Sequence, residues 1–117
     1  MNVILFRQAP YGTSLTGEGI RALSALQAFG VPLKVLFVDD GVFVLRKGQN
    51  PSALEMKSMG EGVKIMEENG LEGVLVCRES LRERGIDEKD LIDAKITVVD
   101  RKEVSNLLRS ADNVLPF

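Results

Sequence analysis

The single cysteine of this chain, Cys77, stands between two segments of opposite character. Gly73-Val74-Leu75-Val76 before it is apolar, and Arg78-Glu79-Ser80-Leu81-Arg82-Glu83-Arg84-Gly85 after it is charged and helix-favouring. Val74 to Val76 predict a buried strand, and Arg78 to Arg84 a short helix with Gly85 as its stop. The thiol then lies where the carboxyl end of a strand meets the amino end of a helix. Open α/β sheets place ligands there, and unpaired backbone N–H groups favour an anion such as a thiolate. Arg78, Arg82 and Arg84 add positive charge, which Glu79 and Glu83 partly cancel. A lone cysteine ending an apolar run is more often a small buried hydrophobe than a reactive group. Its surroundings decide between the two.

Two absences narrow the chemistry. The chain has no histidine, which removes Ser-His-Asp and Cys-His catalysis within it and any His-ligated metal site. With one cysteine, no disulfide closes within the chain and no thiolate-rich zinc site forms. A resolving thiol must come from another chain, a substrate or a small molecule. Neither a cofactor nor a metal is expected.

Other residues invite chemistry less strongly. Asp39-Asp40, after an apolar run, suggests Mg²⁺ binding in the manner of a phospho-receiver domain. That chemistry wants a further aspartate at the end of a later strand, where this chain has Cys77 instead. Adjacent carboxylates more often hydrate or cap a turn. Gly12, Gly17 and Gly19 near a helix start suggest a phosphate loop, but the Gly-Lys-Ser/Thr ending and the dinucleotide spacing are both missing. A tight turn with Thr13 or Ser14 near the cap accounts for them better.

These residues must be carried by a scaffold. A composition 44% hydrophobic and 27% charged fits one soluble globular domain spanning residues 1–117. A formal net charge of −2, one tyrosine and no tryptophan argue against a nucleic-acid surface. The apolar runs are strand-sized, so no membrane span is expected. Met1 to Arg7 lack a basic region before their apolar run and read as a first strand, not a signal peptide. Cytoplasmic location is the expectation, and a single cysteine suits a reducing compartment.

Val3 to Phe6 read as a strand covered on both faces. A helix follows from about Thr16 to Phe29, with Ile20, Leu23, Leu26 and Phe29 on helical spacing and Gly30 as its cap. Leu33 to Val38 form a second strand. Val42 to Leu45 fit either a short strand or a helical turn. Met56, Met59, Val63 and Met66 recur along a helix ending near Asn69-Gly70, as core or partner-facing packing. After the Cys77 unit, Asp87 caps a turn, Ile96 to Val99 make a strand, and Asp100 caps a helix over Lys102 to Ala111. Val114-Leu115-Pro116-Phe117 read as a final strand, with Pro116 suggesting an edge. The expected fold is a three-layer α/β/α sandwich with a mainly parallel five-stranded sheet. Strand order does not follow from the sequence. In such a sheet Pro10 to Ser14, Asp39 to Gly41 and Cys77 to Ser80 share one rim.

The residues on that rim resemble a known family. Arg7-Gln8-Ala9-Pro10-Tyr11-Gly12-Thr13, Phe37-Val38-Asp39-Asp40-Gly41-Val42, Val76-Cys77-Arg78-Glu79-Ser80-Leu81-Arg82-Glu83-Arg84-Gly85 and the terminal Val114-Leu115-Pro116-Phe117 occur in the order of its signatures. Together they resemble the DsrE/DsrF-like sulfur relay family, most closely its TusC/DsrF branch. The resemblance implies a subunit that assembles with like or paralogous DsrE-like chains and relays persulfide sulfur between donor and acceptor proteins. The pathway it implies is tRNA 2-thiouridine synthesis or dissimilatory sulfur metabolism. Cys77 matches the position of the family's sulfur carrier, with Arg78, Ser80, Tyr11, Gly12, Thr13, Asp39 and Asp40 as supporting rim residues. This is sulfurtransferase-like carriage, not turnover by a classical enzyme. Two alternatives stand beside it: a non-catalytic structural subunit of a DsrEFH/TusBCD-like hetero-oligomer, and a nucleotide- or small-ligand-binding α/β module using the same rim.

Overall fold

In the computed structural model, which describes residues 1–10, 14–47, 59–71 and 73–117, the apolar runs become strands of one sheet. β1 (Asn2–Phe6), β2 (Leu33–Phe37), β3 (Val74–Cys77), β4 (Ile96–Val99) and β5 (Asn113–Pro116) stand in the order β4-β3-β2-β1-β5. All four pairings are parallel, so the sheet is wholly parallel. The helices are α1 (Leu15–Ala28), α2 (Met59–Glu68), α3 (Arg78–Glu83) and α4 (Arg101–Ser110).

The side-chain alternation of each strand divides the core in two. Ile4 and Phe6 of β1 face the same side as Val35, Phe37, Val74 and Val76, and Leu23 of α1, Val63 and Met66 of α2 and Leu81 of α3 cover them. Val3 and Leu5 face the other side with Leu36, Cys77 and Val99, beneath Val104 of α4. Parallel strands need helical crossovers, and right-handed ones that step the sheet steadily from β1 to β4 keep their helices on one face. The chain then returns across the sheet to β5, which puts α4 on the opposite face. Three layers result.

Val42 to Leu45 belong to a 3₁₀ helix, Asp39–Leu45, in which Val42, Val44 and Leu45 are fully buried. The helical turn is therefore the correct form of that ambiguous stretch. Met66 is core and Met59 packs against it, while Met56 lies outside the described residues. Gly85 ends α3 at φ +65°, a backbone region that glycine enters without steric cost. Asp87 and Asp100 both form reciprocal capping boxes, with Asp90 and Glu103. β5 lies at the edge beside β1 with all four residues exposed, and Pro116 is paired with Leu5. Among the described residues, no helix is long and apolar enough to cross a membrane.

The 3₁₀ helix presses directly onto the end of β1. A Cβ at Gly41 would fall 2.0 Å from the carbonyl oxygen of Phe6 and 2.5 Å from its carbonyl carbon. Both are backbone atoms of a buried strand and have nowhere to go. Gly41→Ala is expected to cost about 3 kcal/mol or more, the upper range for overpacking a core. Urea unfolding followed by circular dichroism checks this, with a parallel Gly62→Ala variant, whose Cβ meets nothing nearer than 3.8 Å among the described residues, as the well-tolerated comparison.

Candidate functional site

The in-register pairing of Phe6 with Phe37, Phe37 with Val76, and Cys77 with Val99 brings the carboxyl ends of four strands into line. The segments that follow them meet along this rim. Val38 donates its N–H to the Phe6 carbonyl at 3.0 Å. Asp39 then takes φ +50°, unusual for a residue with a Cβ. Its N–H donates to Ser80 Oγ at 2.9 Å, so the hydroxyl of a residue only 2% exposed fixes the turn. Arg7 Nε lies 3.5 Å from Asp39 Oδ2. Asp40 Oδ1 accepts from Arg84 Nε at 2.9 Å, and Arg84 Nη1 donates to the Ser80 carbonyl at 3.2 Å. Asp39, Asp40 and Ser80 thus come together as expected, and what they do is bind α3 to the 3₁₀ helix.

The first loop is tied down differently from the sequence reading. Ser14 makes no side-chain cap bond to α1. Thr16, fully buried, instead donates its hydroxyl toward the carbonyls of Gln8 and Ala9, at 3.3 and 3.0 Å. Tyr11, Gly12 and Thr13 lie outside the described residues.

Cys77 ends β3 on this rim, but its side chain points into the α4 layer. It is 2% exposed, packed with Val3, Leu5, Leu36, Val99 and Val104. Strand alternation is the cause: Val76 faces the α1–α2 layer, so Cys77 must face the other. Glu79 Oε1 lies 3.8 Å from Sγ, a long, weak acceptor for the thiol. Both oxygens of Glu79 accept the N–H of Arg101, at 3.1 and 3.2 Å. That bond, helped by the backbone N–H of Glu79 itself and by the charge of Arg101, holds the Glu79 carboxyl below its ordinary value of 4.5. Glu83 pairs with the Arg101 guanidinium and keeps it more firmly protonated.

Arg78 is half-buried and has no ion pair among the described residues. The charged group placed beside the thiol is Glu79, which is held in turn by Arg101. Sequence reasoning named Glu79 and Arg84 only as charge near the thiol and missed Arg101. The signal for Arg84 lies in its spacing, four residues beyond Ser80 on one short helix. For Arg101 the signal is the register: once Cys77 stands opposite Val99, the residue two further on begins α4 beside it. That signal becomes readable only with the strand order.

The chain compares closely with known proteins along its whole length. The model of the DsrE/DsrF-like family matches residues 2–117. A "Protein TusC homolog" of Vibrio parahaemolyticus is 38% identical over 114 residues, covering 97% of this chain and 95% of that protein. The "Intracellular sulfur oxidation protein DsrF" of Allochromatium vinosum is 31% identical over 126 residues, covering 97% of this chain and 93% of that one. Among solved structures, the crystal structure of the ychN protein from E. coli superposes with a TM-score of 0.85 at 26% identity. That match covers 99% of this chain and 97% of the other. With a family match over nearly every residue and relatives of both the TusC and DsrF kinds, the chain belongs to the DsrE/DsrF-like family.

Proposed function

We propose that this chain is a subunit of a sulfur-relay complex that accepts persulfide sulfur on Cys77 and passes it on. The names of its TusC and DsrF relatives support the setting. The observation that carries the site is the position of its one thiol, at the β3–α3 junction beside the segments converging on the rim. Paralogous subunits of the same fold and donor and acceptor proteins are its partners, and the cytoplasm its compartment. The pathway ends in tRNA thiolation or sulfur oxidation.

The chemistry needs no metal and no histidine. The Cys77 thiolate attacks the outer sulfur of a donor persulfide. A new S–S bond forms at Cys77 as the donor's S–S bond breaks, and the donor leaves as a thiolate that takes up the proton Cys77 lost. Two sulfurs exchange partners without any external oxidant. An acceptor thiolate then attacks the outer sulfur on Cys77 and restores the thiol in the same way.

A second reading rests on one specific observation, the 2% exposure of Cys77 among apolar side chains. Under it the thiol is ordinary packing and the chain builds the complex through its surface, where Phe29 is 85% and Ile65 56% exposed. Two experiments separate the readings. Treating the purified protein with a persulfide donor or a charged cysteine desulfurase is expected to add one sulfur by intact mass. The adduct reverses with reductant and is absent from Cys77→Ser; no adduct, or one that survives Cys77→Ser, rejects the carrier. In the reconstituted complex Cys77→Ser is expected to stop sulfur flux while assembly by size-exclusion chromatography is unchanged. Flux that persists in Cys77→Ser, with assembly lost in Phe29→Asp, establishes the structural subunit.

A further inference from the structure

A buried thiol exchanges sulfur only if the incoming S–S bond reaches it in line, so something above Cys77 must move. The two flanks of α3 are held differently. Toward the 3₁₀ helix, α3 is anchored by the buried Ser80, whose Oγ accepts the Asp39 N–H, and by Arg84, whose side chain is 20% exposed and reaches the Ser80 carbonyl and the 59% exposed Asp40. Toward α4, the links are few and wet. The Glu79 carboxylate bonds the Arg101 N–H, and Arg101 pairs with Glu83 through side chains that are 61% and 55% exposed. Exposed pairs of this kind add little to stability. They are nevertheless the groups beside Cys77: Glu79 Oε1 is 3.8 Å from Sγ, and the same carboxylate accepts the Arg101 N–H.

We propose that Glu79, Glu83 and Arg101 form a clasp between α3 and α4 that shields Cys77 and opens before sulfur is exchanged. The proposal rests on Cys77 being the carrier and assigns the control of its access. Local opening at this edge parts α4 from α3 and leaves the Ser80–Asp39 link and the core closed.

Native-state alkylation of Cys77 by iodoacetamide, followed by intact mass, reads the opening directly because the chain has no other thiol. Glu79→Ala is expected to react about tenfold faster than the parent, as for loss of a charged hydrogen bond. Glu83→Gln keeps the Glu79 carboxylate in place and is expected to react about threefold faster, as for loss of an exposed ion pair. Both rates should hardly change across low urea concentrations, the mark of local opening. Equal rates in parent and variants, or rates that climb with urea along the global unfolding transition, overturn the clasp. If Glu79→Ala does not fold, Glu83→Gln and Arg101→Gln carry the same comparison. Sulfur loading is measured separately. A Glu79→Ala protein that alkylates quickly but takes up no sulfur keeps the clasp and removes the carrier. A parent that takes up sulfur as fast as Glu79→Ala removes the clasp and keeps the carrier.

Discussion

The end of β1 is the fixed point of this fold. Four groups from distant parts of the chain close on Leu5, Phe6 and Arg7. The Val38 N–H reaches the Phe6 carbonyl, Gly41 packs against that same carbonyl, and Phe117 exchanges hydrogen bonds with Leu5 and Arg7 at 2.7 Å each. The Phe6 ring stacks on Phe37 at 4.9 Å between centroids and meets Phe117 at 6.1 Å. Backbone groups in so buried a place must be paired, and each partner available here comes from a different element. Seating the 3₁₀ helix and β5 on this one strand end also sets the height of α3, through Ser80 and Arg84. The position of Cys77 is a remote consequence of how Phe6 is packed.

The elements were legible because each announces itself locally. Val3 to Phe6 and Val74 to Val76 are apolar without a break, as strands buried on both faces must be, and Asp87 and Asp100 are capping residues by type. Val42 to Leu45 were not, because a fully buried stretch looks alike as strand or helix when periodicity is the only guide. The direction of the Cys77 side chain is a matter of alternation. It follows from Val76 facing α1 and α2, and which helices lie on which face depends on a strand order that no local pattern contains. The same gap hid Arg101. Neighbouring arginines such as Arg78 were visible as charge near the thiol, whereas the cation whose N–H holds Glu79 beside it enters from 24 positions away in the sequence. Rim residues held by hydrogen bonds, such as Ser80 and Asp39, were placed correctly because topology alone collects strand ends on one side.

A sulfur carrier faces conflicting demands. Its thiol must react with a persulfide, and its loaded form must not lose sulfur to every passing thiol. For the carrier function proposed above, burial of Cys77 beneath α4 answers the second demand by geometry. The charged groups above it are surface residues, and their contacts cost little to rearrange. Reactivity is thereby separated from stability, since the core contacts of Leu81 and Ser80 on the other flank of α3 need not change.

The outer edge of the sheet carries a consequence of its own. Phe117 spends both its N–H and its C=O on β1, so the alternate residues Val114 and Pro116 turn their backbone groups outward. Pro116 has no N–H to offer, and the exposed edge is left with a broken row of donors. A neighbouring molecule finds no continuous ladder there on which to lay a sixth strand. Strand addition at the β5 edge is therefore weakened by a single imino acid at that margin, a protection the opposite edge strand β4 does not share.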